Sequence, residues 1–199
     1  DENGNEIDGD KLLAIIAQYL KGKGQLSKDT IVATVMSNLG FFLMAEKNRI
    51  HMEQTKVGDR YVLERMKEID ASLGGEQSGH VIFLDGNTTG DGLLSALHLL
   101  QVLVDTGKPL SELSKIMTVL PQALVNAKVP NHKKDHYMEY PEIASAIEKL
   151  EEMFAGEGRV LIRPSGTEPK VRVLIEGKDQ ALIDAEAKKL ADLIQNTML

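Results

Sequence analysis

Apolar and polar positions change period several times along the chain, and each change predicts an element. Leu12, Leu13, Ile15, Ile16, Tyr19 and Leu20 recur at helical spacing, and Gly22 and Gly24 end that run. Ile31 to Met36 is rich in β-branched residues and predicts a buried strand. Asn38 can cap a short helix over Phe41 to Lys47, and His51 to Gln54 predicts a second strand. Tyr61 to Ile69 returns to helical spacing, and His80 to Leu84 predicts another buried strand. A long helix follows from Gly90 to Val104, with Leu93, Leu97, Leu100 and Val104 on one stripe and Thr89 as its candidate cap. Gly107-Lys108-Pro109 breaks it, and Leu110 to Met117 forms a short last helix. Strands alternating with helices predict an α/β domain of three layers with a mixed, largely parallel sheet.

The pattern changes near Leu120. Val119 to Val129 contains Pro121 and reads as an irregular connector leading into a strand, and His132 to Tyr140 is polar and turn-like. A helix is expected over Glu142 to Phe154. Two strands, Arg159 to Arg163 and Lys170 to Ile175, flank a tight loop. The final helix, Gln180 to Ile194, carries Ile183, Ala187, Leu190 and Ile194 on its buried stripe. A β-α-β-β-α order predicts a small α+β domain with an antiparallel sheet and helices on one face. The expected organisation is a remnant of a preceding domain over residues 1–10, an α/β domain over 11–120 and an α+β domain over 121–199. The remnant is read from Asn3-Gly4, which resembles the tip of a β-hairpin whose first strand is missing.

Composition narrows the class. The chain has 199 residues, and 42% of them are hydrophobic, enough for real cores. With no Cys there is neither a disulfide scaffold nor a thiolate metal site, which fits a reducing, cytoplasmic setting. No apolar run approaches the ~20 residues of a membrane span. The start, Asp1-Glu2-Asn3, lacks the basic opening of a signal peptide. A net charge of -7, from 23 basic and 30 acidic residues, disfavours nucleic acid as a partner. It leaves room for a small anion, because a site can be locally positive inside an acidic protein.

The strongest candidate for anion chemistry is Arg163-Pro164-Ser165-Gly166-Thr167-Glu168-Pro169. Strand alternation puts Arg159 and Arg163 on one side of the first strand, and Lys170 and Arg172 on one side of the next. Ser165 and Thr167 offer hydroxyls, and Gly166 would let backbone N–H groups turn inward as a nest. Arg163 or Arg172 could then clamp an oxyanion through paired hydrogen bonds. A plain hairpin turn with solvated charges explains the same residues equally well.

Two further loops suit a polar ligand. In Gly74-Gly75-Glu76-Gln77-Ser78-Gly79-His80, Glu76 can accept from sugar hydroxyls, Ser78 can donate, and His80 can hydrogen-bond or shuttle a proton. In Lys56-Val57-Gly58-Asp59-Arg60, Lys56 could meet phosphate, although a helix start capped by Asp59 is the simpler reading. Asp8 with Asp10, and His132 with Asp135 and His136, have only weak metal-ligand spacing. Asp8 is better placed to cap a helix at Lys11. No Gly-rich loop is followed by Lys-Ser or Lys-Thr, so there is no nucleoside-triphosphate signature.

Five segments in order carry a resemblance. They are Thr34-Val35-Met36-Ser37-Asn38, Val57-Gly58-Asp59-Arg60-Tyr61-Val62, Gly74 to His80, Asn87-Thr88-Thr89-Gly90-Asp91-Gly92, and Arg163 to Pro169. With them the chain resembles the C-terminal half of the bacterial phosphoglucosamine mutases, in the α-D-phosphohexomutase superfamily. The resemblance implies the third, sugar-binding domain and the fourth, phosphate-binding domain of a four-domain enzyme. It implies interconversion of glucosamine 6-phosphate and glucosamine 1-phosphate through a 1,6-bisphosphate, on the route to UDP-N-acetylglucosamine for peptidoglycan. It assigns Glu76, Ser78, Gly79, His80, Lys56, Gly58, Asp59 and Arg60 to the sugar, and Arg163, Ser165, Gly166, Thr167 and Arg172 to the phosphate. The catalytic phosphoserine and the Mg2+ loop are implied upstream, so no catalytic or metal residue is expected in this chain. By itself the chain is expected to be monomeric and inactive, with a glucose or glucosamine 1,6-bisphosphate as activator or intermediate of the parent, for which a homodimer stays open. A phosphomannomutase or phosphoglucomutase of the same superfamily, or a non-catalytic sugar-phosphate-binding module, stays open as an alternative.

Overall fold

The computed structural model describes residues 1–199. The chain divides into two compact units, Asp1–Val119 and Leu120–Leu199.

In the first unit, strands β1 (Thr30–Thr34), β2 (His51–Thr55), β3 (Leu73–Gly75) and β4 (Val81–Phe83) lie in the order β2-β1-β3-β4. β2 and β3 run parallel to β1, and β4 runs antiparallel to β3. Side-chain alternation across β1 splits the core in two. Ile31 and Ala33 face a cluster built with helices α1 (Gly9–Gly22), α2 (Leu39–Lys47) and α4 (Gly92–Thr106). Val32 faces the other way, against Val62 and Met66 of α3 (Asp59–Ile69). Helices thus cover both faces of a mixed, mostly parallel sheet, as the alternation of strand and helix requires. A one-turn helix, α5 (Leu110–Leu113), and two 3-10 turns, Ser27–Asp29 and Ser114–Ile116, complete the unit.

Several local expectations are corrected. β3 was not expected as a strand: its three residues include two glycines and show no alternation, yet it is an interior strand between β1 and β4. α4 is capped by Asp91, not Thr89, and the Asp91 carboxylate accepts from the N–H groups of Leu93 and Leu94 at 3.0 Å each. The stripe Leu93, Leu97, Leu100 and Val104 faces solvent, with exposures between 54% and 77%. Leu94, Leu99 and Val102 make the core contacts instead. α4 is apolar on both sides, so periodicity alone does not say which side the sheet takes. At Asn3-Gly4 the expected turn is present, closed by the Gly4 N–H on the Asp1 carbonyl at 3.0 Å.

The second unit holds β5 (Gln122–Lys128), β6 (Arg159–Pro164) and β7 (Lys170–Glu176), all antiparallel, in the order β5-β7-β6. Helices α6 (Pro141–Phe154) and α7 (Gln180–Met198) share one face of this sheet. There Val171, Val173 and Ile175 pack with Ile143, Ile147, Ile183 and Ile194. By alternation the opposite face carries Arg159, Arg163, Lys170, Arg172 and Glu176. The turn-like segment after His132 contains a 3-10 helix, Lys134–Glu139. No helix of either unit is long and apolar enough to cross a membrane.

Candidate functional site

A cleft of about 620 Å3 opens in the first unit where β1, β2 and β3 end. The chain path explains its position. The β1–β2 connection runs over one face of the sheet through α2, and the β2–β3 connection returns over the other through α3. The connections therefore diverge between β1 and β3, and open α/β sheets bind ligands at such switch points, outside the carboxyl ends of the strands. Thr34 at the end of β1 and Met36 just after it line the cleft, with Gly58 and Asp59 beyond β2, and Glu76, Ser78 and His80 beyond β3.

Glu76 ties two of these loops together. Its Oε1 accepts from the Gly58 N–H at 3.0 Å, leaving Oε2 without a protein partner. Gly58 has φ 131° and ψ 130°, a conformation that side chains disfavour, and so presents its N–H to that carboxylate. The Glu76 carbonyl accepts from the Gly79 N–H at 3.0 Å, which folds residues 76–79 into a turn with Gly79 at φ 97°. The start of α1 holds this turn from below. The Gly9 N–H donates to the Gln77 carbonyl at 3.0 Å, and a Cβ on Gly9 would lie 2.1 Å from the Glu76 carbonyl oxygen. Ser78, Gly79 and His80 are exposed, while Glu76 and Gln77 are half-buried.

Of the residues the sequence singled out for the sugar, the cleft brings together Glu76, Ser78, His80, Gly58 and Asp59. Lys56, Arg60 and Gly79 do not line it. Arg60 turns along the helix to pair with Glu64 at 2.7 Å, and this acidic partner raises its pKa. Asp59 is the first helical residue rather than the cap, and its carboxylate accepts from the Arg60 N–H at 2.8 Å.

In the second unit the loop between β6 and β7 gathers cations. Arg163 and Arg172 are directly opposite across the two strands. Arg163 has no acidic partner. Burial, and after it the charge of Arg172, pulls its pKa below the usual arginine value. Arg172 donates Nη2–H to Glu168 at 3.2 Å, while its buried Nε has no acceptor. Arg159, by contrast, is committed to the buried Glu176, to which its Nε–H donates at 2.6 Å. Ser165 is buried, and its Oγ accepts from the Glu168 N–H at 3.3 Å. Gly166 and Thr167 are exposed.

Two features of this loop differ from the sequence reading. Gly166 does not take a positive φ, and a Cβ there would meet nothing within 4 Å. The backbone of Gly166 is thus one that other residues can adopt, and the glycine leaves open space over the loop. The second is Lys134, which sequence reasoning missed inside a polar stretch. Its buried Nζ donates to the Ser165 carbonyl at 2.6 Å and adds a positive charge beneath the loop. A lysine just after Pro130 in an otherwise surface-like segment gave no periodic signal.

Three of the five carboxylates and imidazoles considered for metal binding have other roles. Asp8 caps α1, accepting from the Lys11 N–H at 3.0 Å, and the buried Asp10 accepts from the Asn38 N–H at 2.7 Å. His136 pairs with Glu139 at 2.6 Å. No group of three or more His, Asp or Glu residues stands together to hold a metal ion, so the residues present do not supply a magnesium site.

The first unit is an α/β/α domain with a cleft at its switch point, and the second an α+β domain with a cationic loop. Domain descriptions match both: phosphoglucomutase/phosphomannomutase α/β/α domain III over residues 8–120, and the C-terminal domain of the same proteins over residues 124–193. The chain belongs to the phosphoglucomutase/phosphomannomutase family. It is 60% identical over 198 residues to the phosphoglucosamine mutase of Ruminiclostridium cellulolyticum, covering 100% of this chain and 44% of that protein. It is 58% identical over 195 residues to the phosphoglucosamine mutase of Clostridium acetobutylicum, covering 98% and 44%. The chain thus spans less than half the length of these curated relatives. Among solved structures, Aspergillus fumigatus N-acetylphosphoglucosamine mutase in complex with GlcNAc-6P and magnesium superposes with a TM-score of 0.79 at 20% identity, over 99% of this chain and 46% of that one. An N-acetylglucosamine-phosphate mutase of the α-D-phosphohexomutase superfamily, in its substrate complex, superposes with a TM-score of 0.77 at 23% identity, over 94% and 44%. At these identities the likeness is one of fold.

Proposed function

We propose that this chain is the substrate-recognition half of a phosphoglucosamine mutase, a cytoplasmic enzyme that interconverts glucosamine 6-phosphate and glucosamine 1-phosphate. The observation that carries the reading is Arg163: a half-buried guanidinium with no acidic partner, opposed to a second arginine, in a chain of net negative charge. The two like charges repel, and of the two Glu168 pairs with Arg172 alone, so Arg163 is open to an added anion. The name shared by relatives at 55–60% identity supports the choice of sugar. In this reading residues 1–10 end a preceding domain, residues 11–120 bind the sugar and residues 121–199 bind the phosphate that is not being transferred.

The roles follow from the groups left free. Arg163 and Arg172 donate to phosphate oxygens, joined by the hydroxyls of Ser165 and Thr167, while Gly166 leaves room for close approach. Glu76 uses Oε2 to accept from sugar hydroxyls, and Ser78 and His80 supply further hydrogen bonds. Gly58, Asp59 and Gly79 shape the sugar cleft, Lys56 acts at its margin, and Arg60 reaches the sugar only by leaving Glu64. A phosphate presents similar oxygens from every side, so one clamp can hold either the 1- or the 6-phosphate. This is what a bisphosphate intermediate that turns around between two phosphoryl transfers demands. The phosphoserine and the magnesium of the whole enzyme belong upstream, and no step through the metal is assigned to these residues.

The test is calorimetric titration of the 199-residue chain with glucosamine 6-phosphate, glucose 6-phosphate and mannose 6-phosphate. The expected result is weak binding that prefers the glucosamine ester and is lost about tenfold or more in Arg163→Ala, the scale of a charge-assisted hydrogen-bond pair. Preference for the mannose or glucose ester would reassign the sugar. Identical titrations for wild type and Arg163→Ala would remove the phosphate clamp.

A further inference from the structure

The cationic loop carries an anion of its own. Glu168 lies within it with half of its side chain exposed, and its Oε2 is 2.8 Å from Lys170 Nζ and 3.2 Å from Arg172 Nη2. The ammonium of Lys170, hydrogen-bonded to it, holds the Glu168 carboxyl below the usual carboxylate range, and Arg172 adds to the effect. The backbone on either side is anchored, since the Glu168 N–H donates to Ser165 Oγ and the Glu168 carbonyl accepts from the Lys170 N–H at 2.8 Å. The backbone is thus tied at both ends, while the side chain stands half exposed.

Charge in the loop does not balance. One carboxylate oxygen serves both Lys170 and Arg172, Arg163 has no acidic partner, and the Arg172 Nε is buried without an acceptor. Lys134 places a fourth cation beneath the Ser165 carbonyl. Four positive charges thus meet one negative charge. A phosphate dianion carries more charge and more acceptor oxygens than a carboxylate, and could satisfy groups that Glu168 leaves open.

We propose that Glu168 is a built-in counter-anion: it holds Lys170 and Arg172 while no phosphate is bound and yields them when phosphate arrives. The inference rests on reading this loop as a phosphate clamp. Glu168 is then a positioning residue that acts through Lys170 and Arg172. It keeps two repelling cations in place and opposes ligand binding by competing for them. The exchange replaces one partly solvated ion pair with another, so its net free energy is small and release is eased. That property suits a clamp that must let go of a bisphosphate and grasp its other end. Were Glu168 a brace that orients the cations for the ligand, its removal would have the opposite sign.

Titration with inorganic phosphate separates these cases, using wild type, Glu168→Gln and Arg163→Ala in the full 199-residue chain. Glu168→Gln is expected to bind about three- to tenfold more tightly than wild type, the effect of removing a competing partly exposed ion pair. Arg163→Ala is expected to bind more weakly. Equal or weaker binding by Glu168→Gln, with Arg163→Ala still weakened, overturns the counter-anion and leaves the clamp. Wild type and Arg163→Ala alike overturn the clamp and the inference with it. A second readout needs no variant. At about pH 7.5, where phosphate is mostly the dianion, the carbon-detected NMR resonance of the Glu168 carboxyl should shift on saturation with phosphate as its contacts with Lys170 and Arg172 are lost. A resonance unmoved by saturating phosphate counts against the exchange.

Discussion

Gly9→Ala should damage a cleft whose ligand-facing side chains it does not alter. An added Cβ would sit 2.1 Å from the Glu76 carbonyl oxygen, 2.8 Å from the Gln77 carbonyl oxygen and 2.8 Å from the Gly79 nitrogen. All three are backbone atoms, so no rotamer change relieves the contact. Restoring an ordinary separation moves the start of α1 or the 76–79 turn by roughly 1 Å, a shift on the scale that costs catalytic sites dearly. Overpacking of this kind costs about 1–3 kcal/mol, and the strained hydrogen bond from Gly9 to Gln77 adds about 1 kcal/mol. The displaced Glu76 would also lose its hold on the Gly58 N–H. Gly166→Ala is the matched control, because its Cβ meets nothing within 4 Å and its φ is not positive. Urea unfolding followed by circular dichroism, together with calorimetric titration of glucosamine 6-phosphate, tests both variants. The expected outcome is Gly9→Ala destabilised by about 2–4 kcal/mol with weakened sugar-phosphate binding, and Gly166→Ala with wild-type stability. Wild-type stability and binding in Gly9→Ala would refute the argument that this contact positions the loop.

Two further outcomes are expected. Lys134→Met removes the charged donor to the Ser165 carbonyl and should destabilise the second unit by about 1–2 kcal/mol; an unchanged unfolding midpoint would show that the contact contributes nothing. His98 stacks on Phe83 with ring centroids 3.9 Å apart, and burial lowers its pKa, so the folded state binds this proton less readily than the unfolded chain. Its contribution to stability is therefore complete above the unfolded value of about 6.5 and is lost as pH falls through that value toward the lower folded one. Urea midpoints measured between pH 7.5 and 5.5 should drop more for wild type than for His98→Gln, and parallel curves would contradict the assignment.

Much of the architecture was written locally, and so was legible. Asp8 and Asn38 announce helix starts because a short polar side chain in that position satisfies free N–H groups a few residues on. The two strands around Arg163 to Pro169 were readable from alternation, and the change from parallel α/β to antiparallel α+β from the order of elements. The candidate loops stood out because glycine, hydroxyl and charged residues fall together there.

What stayed hidden depends on distant segments meeting. The side of α4 that is buried is chosen by α1 and the sheet, and both sides of that helix are apolar. β3 is held between β1 and β4 rather than by its own composition. Arg60 follows β2 in a promising loop, yet a glutamate one helical turn later draws it away from the cleft. Lys134 reaches a carbonyl 31 residues away, and Gly9 meets the turn at Gln77 only because the sheet brings them together. Sequence alone determined the elements and the motif wording, because capping, turn chemistry and periodicity act over a few residues. The tertiary structure decided which charges are paired and which are not, because burial and ion pairing depend on every neighbour that the fold supplies.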